Sequence, residues 1–133
     1  MYKTLLSAAL VIVLSVVVFG STSFASEVGV EDDVTPQKVF GPYKFKTGDG
    51  QWDGQLTVPF GGGDVTVTVE DLKDNTFVPF VRLCNASSGK CTPLEPLQSD
   101  NTRTFTNMLR GTYYGDVETG TVSTTGVIRF DVR

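Results

Sequence analysis

The chain has 133 residues, 15 Asp and Glu against 11 Lys and Arg, and no histidine. Without histidine there is no Ser-His or Cys-His nucleophile system and no histidine-ligated zinc site. A net charge of −4 offers no basic face to phosphate, so nucleic acid is not an expected partner, and the length suits one small domain.

Lys3 and the free amine precede an apolar run, residues 5–19, broken only by Ser7 and Ser15. Small residues follow at Ser23 and Ala25. This order predicts a cleavable secretory signal over residues 1–25, cut after Ala25. A membrane anchor fits less well, because the run would cover only about 22 Å as a helix against roughly 30 Å of hydrocarbon. Glu27, Glu31, Asp32 and Asp33 come next, where a stop-transfer segment would carry basic residues. The expectation is a secreted, extracellular protein with no stable membrane insertion after cleavage.

Those four acids make residues 26–37 an acidic leader, and the remaining chain is nearly neutral. Residues 38–133 read as one domain dominated by period-2 alternation. A first strand is expected from Val39 to Lys46 around Gly41-Pro42. Leu56, Val58 and Phe60 alternate with Gln55, Thr57 and Pro59. After the turn Gly61-Gly62-Gly63-Asp64, the residues Val65, Val67 and Val69 alternate with Thr66, Thr68 and Glu70. Phe77 to Cys84 is a further strand, with Val81 and Leu83 inward and Pro79 marking a strand start or an edge. Residues 92–101 read as connection. Strands over 103–109, 112–118 and 125–132 complete the chain, the last burying Ile128, Phe130 and Val132. No helical period persists after residue 25, and about seven short strands predict a small antiparallel β-sandwich.

Cys84 and Cys91 are the only cysteines and lie in the exported part. In an oxidising compartment they are expected to pair, stapling a hairpin loop around Asn85-Ala86-Ser87-Ser88-Gly89-Lys90.

Several segments in order resemble one family. Thr47-Gly48-Asp49-Gly50-Gln51-Trp52-Asp53-Gly54-Gln55-Leu56-Thr57-Val58 runs into Gly61-Gly62-Gly63-Asp64-Val65-Thr66-Val67-Thr68-Val69. Val81-Arg82-Leu83-Cys84, Gly111-Thr112-Tyr113-Tyr114-Gly115-Asp116-Val117 and a closing Thr125-Gly126-Val127-Ile128-Arg129-Phe130-Asp131-Val132 follow. Over about residues 47–133 this resembles the bacterial pre-peptidase C-terminal domain, which overlaps structurally with collagen-binding domains. The resemblance implies a jelly-roll-like sandwich that binds or assists and does not catalyse. The family usually carries a large apolar residue where this chain has Gly115. Its collagen-binding relatives hold calcium with an acidic N-terminal segment, a part that Glu27, Glu31, Asp32 and Asp33 would play here.

A second calcium candidate is the 49–54 loop. Asp49, Gln51 and Asp53 present oxygens at alternate positions, with Gly54 where a calcium loop turns. Position twelve of such a loop is Phe60, so the bidentate glutamate is missing, and a solvated turn explains the same residues. The acidic head has the bland alternative of a solvated leader.

Trp52, the single tryptophan, sits in a Gly-rich turn. It either stacks on a ligand such as a sugar ring or fills the core. Tyr113 and Tyr114 point to opposite faces of a regular strand, so one of them faces outward. Trp52 and Tyr114 are the ligand-binding candidates. No pair of acids is isolated in an apolar cleft, so no catalytic residue is assigned. The reading is a secreted, monomeric, non-enzymatic protein directed at an extracellular polymer, either envelope polysaccharide or matrix protein. A secreted antimicrobial or toxin-like factor is the alternative, and a protease-associated inhibitor or chaperone is the second.

Overall fold

The computed structural model describes residues 36–133. The signal expected over residues 1–25 and the acids Glu27, Glu31, Asp32 and Asp33 lie outside the described residues. The described chain is all strand, turn and loop: β1 (Lys38–Lys46), β2 (Gly54–Val58), β3 (Gly63–Glu70), β4 (Phe80–Asn85), β5 (Glu95–Pro96), β6 (Thr102–Met108), β7 (Gly111–Glu118) and β8 (Thr125–Val132). They form two four-stranded sheets in the orders β1-β8-β3-β6 and β2-β7-β4-β5, with every neighbour antiparallel. The chain therefore crosses repeatedly from one sheet to the other. This is the jelly-roll form of the sandwich.

Alternation drives this outcome. A strand with one apolar face buries it only against a second sheet. Val65, Val67 and Val69 of β3 and Ile128, Phe130 and Val132 of β8 are buried from one sheet. Leu56 and Val58 of β2, Val81 and Leu83 of β4, and Tyr113 and Val117 of β7 meet them from the other. The threonine face of β3 turns outward, where the Thr66 and Thr104 hydroxyls hydrogen-bond across strands at 2.9 Å. Cys84 and Cys91 face each other at an antiparallel bridge and are joined by a disulfide. Asn85 shapes the loop between them, its Oδ1 accepting the N–H groups of Ser87 and Ser88.

Three strand limits differ from expectation. Residues 95–96, read as connection, form the short edge strand β5, pairing Pro96 with Phe80 and Glu95 with Val81. Phe77 to Pro79 stay outside β4, where the Pro79 carbonyl accepts the Leu97 N–H at 3.0 Å. Phe60 does not extend the apolar face of β2. The strand ends at Val58, and Pro59 starts a turn in which the Phe60 ring is 86% exposed.

Candidate functional site

The turn leading into β2 carries Trp52 over the outer face of the β2-β7-β4-β5 sheet. There its ring stacks on Tyr114, with centroids 5.3 Å apart and planes 13° from parallel. The β2–β7 register places Gln55 opposite Tyr114 and Leu56 opposite Tyr113. Strict alternation along β7 then sends Tyr113 into the core and Tyr114 outward. Tyr113 is buried and donates its hydroxyl to the Leu109 carbonyl at 2.9 Å, whereas Tyr114 is half-buried under Trp52. Trp52 is 51% exposed, so of the two readings open to it, the core reading is excluded. The two aromatic candidates form one platform.

Asp53 follows Trp52 and turns the other way. Its N–H bonds to the Gly115 carbonyl at 2.9 Å, and its Oδ2 accepts the Val117 N–H at 2.7 Å. The carboxylate thus occupies the ladder position just beyond the last β2–β7 backbone pair, Gly54–Gly115. Burial pushes its pKa up to about 7, against the lowering by the Val117 hydrogen bond and with smaller upward contributions from the charges of Asp116 and Asp49.

Two recesses meet at Trp52 and Asp53. The larger, about 620 Å³, is walled by residues 46–53, Arg82 and residues 116–123. The smaller, about 470 Å³, lies toward Tyr43, Lys44, Gln55 and Tyr114. Both volumes fall in the ~300–1,000 Å³ range of small-molecule sites. Buried threonines brace the larger one. Thr47 N–H bonds to the Thr124 carbonyl, and Thr124 N–H returns to Thr47 Oγ1, both at 2.9 Å. Thr119 Oγ1 donates to the Val122 carbonyl and the Ser123 hydroxyl to the Thr47 carbonyl. This mesh ties the turn before β2 to the β7–β8 loop.

Beyond Asp49 and Asp53, charge in the larger recess comes from residues that the sequence did not single out, Lys46, Arg82, Asp116 and Glu118. Arg82 pairs with Asp116 at 2.7 Å across the β4–β7 register and with Glu118 at 3.2 Å. The signal was present in the alternation, because Arg82 lies between the inward Val81 and Leu83. Seeing that it meets Asp116 needs the register. Of the calcium candidates within the described residues, Asp49 accepts the Gln51 N–H at 2.9 Å and Asp53 points inward to Val117. Among the described residues no three His, Cys, Asp or Glu side chains gather as a metal site.

No family model matches the chain, and no curated protein matches it.

Proposed function

We propose that the protein is a secreted, non-catalytic binding module whose ligand is an extracellular polysaccharide chain. The stacked, half-exposed Trp52–Tyr114 pair carries this reading. A flat amphipathic surface favours the C–H face of a sugar ring and keeps its polar edges hydrated. The paired recesses on either side of Trp52 support a ligand longer than one ring. The disulfide is compatible with an oxidising, extracellular location, and no helix among the described residues is long and apolar enough to cross a membrane. The motif resemblance to pre-peptidase C-terminal domains adds an accessory rather than a catalytic role. Retention on insoluble polysaccharides tests the reading. Trp52→Ala and Tyr114→Ala should each weaken retention by about 1–2 kcal/mol. Retention untouched by both substitutions removes the platform.

A second reading, the antagonistic factor, draws on the opposite end of β2 and β7. Phe60 and Leu109 are 86% and 77% exposed in neighbouring turns, and the Arg110 guanidinium lies 5.5 Å from the centroid of the Phe60 ring. An apolar pair beside a cation suits the interface of an anionic bilayer. Dye release from anionic vesicles that is lost in Phe60→Ser would favour it over polymer binding.

A further inference from the structure

Within that polysaccharide reading, we infer that the recess beside Trp52 selects chains whose sugars carry a free ammonium group, a hexosamine polymer at least partly de-N-acylated. Four carboxyl groups line the larger recess, Asp49, Asp53, Asp116 and Glu118, against two cations, Lys46 and Arg82. The Arg82 charge is already committed to Asp116 and Glu118, and Lys46 is exposed at the rim. The smaller recess adds only Lys44 to the shared Asp53. An anionic chain of uronate or sulfate groups would meet net repulsion here.

Asp53 is the independent feature that points to a ligand. The residue is only 5% exposed, yet it borders both recesses. Its Oδ2 is occupied by the Val117 N–H, while no donor among the described residues bonds to its Oδ1. No buried side-chain oxygen among the described residues is left both unpaired and out of reach of solvent. Oδ1 is therefore an acceptor with solvent access, on a residue that borders both recesses beside Trp52. An ammonium group donates up to three hydrogen bonds and accepts none, which matches Asp53 in the carboxylate form it takes above about pH 7, a form that a neighbouring cation itself favours. A sugar face on the Trp52 ring would bring a ring substituent to the neighbouring carboxyl group. An N-acetyl group at that position would put a neutral amide there in place of the cation.

Titration of the full exported chain with glucosamine and N-acetylglucosamine oligomers of equal length, at one pH and salt concentration, tests this. The expected preference for the glucosamine oligomer is about tenfold. Asp53→Asn keeps a carbonyl acceptor for Val117 and should bring the two affinities together. Glu118→Gln, at a partly exposed position, should reduce the preference severalfold and serves if the Asp53 variant does not fold. Equal affinities that still depend on Trp52 overturn the ammonium inference and leave polysaccharide binding standing. Binding of neither oligomer overturns the ammonium inference, and retention on insoluble polysaccharides then decides the polysaccharide reading by itself. Poly-lysine binding as tight as the glucosamine oligomer makes the site a peptide site and overturns the sugar assignment. Oligomer binding abolished by a chelator and restored by calcium replaces the ammonium with a metal bridge and overturns it as well.

Discussion

The ring of Phe130 fills the space that a Cβ on Gly115 would occupy. Gly115 faces Gly54 across the β2–β7 pair, and a Cβ on Gly54 would lie 2.7 Å from Cε2 of the same ring. Two opposed glycines thus open a slot in one sheet for an aromatic from the other. Asp53 and Tyr114 immediately precede these two glycines in the chain. Gly115→Ala should overpack the slot and cost about 1–3 kcal/mol, read as a lower thermal midpoint. Phe130→Leu in the same chain should recover part of that loss. A Gly115→Ala protein as stable as the parent would mean that the sheets separate freely at this point.

Asp53 makes stability depend on pH. Its carboxyl titrates at about 7 in the folded chain against an ordinary value of 3.8, so in that window the folded state holds a proton the unfolded chain has released. Stability therefore falls as pH rises from about 4 to about 7 on this group's account. Asp53→Asn removes the slope. Denaturant midpoints should show the variant gaining on the parent across that window, by at most about 1.4 kcal/mol per pH unit. A difference that stays constant with pH would assign the titration elsewhere.

Trp52 should behave as a surface fluorophore. With half of its area exposed, its emission should be red-shifted and quenched by iodide, and sugar oligomers should protect it. Trp52→Ala should change stability by less than about 1.5 kcal/mol, the upper end of an aromatic pair's contribution. A loss of about 3–5 kcal/mol would instead mark a core residue.

The disulfide should contribute modestly. Closing the eight-residue loop from Cys84 to Cys91 is worth about 2.5 kcal/mol by loop entropy. Cys84→Ser with Cys91→Ser should leave the protein folded with a lower melting point, because Cys84, though buried, is one residue of a core built by the apolar faces of β2, β3, β4, β7 and β8. Alkylation of both thiols in the unreduced protein would contradict the pairing.

Period-2 patterns were legible wherever one face was continuously apolar. Val65, Val67 and Val69 on β3 and Ile128, Phe130 and Val132 on β8 stand where alternation puts them. Phe60 misled because alternation continues through Pro59, although the strand ends at Val58 and the chain turns at Pro59. Residues 95–96 were invisible because a two-residue strand carries no period. Its pairing comes from β4, not from its own residues.

For the candidate site, the sequence alone determined the chemistry on offer: one tryptophan in a turn with Asp53 beside it, and a Tyr-Tyr pair on a strand. Alternation alone dictates that Tyr113 and Tyr114 diverge. Only the tertiary structure decided that Tyr114, already the outward candidate, meets Trp52, because that contact depends on the β2–β7 register. It likewise decided that Asp53 is buried and Arg82 neutralised. The physical reason is range. Side-chain direction is set by the local backbone, whereas desolvation and charge pairing depend on strands such as β4 and β7, whose paired residues Arg82 and Asp116 are 34 positions apart.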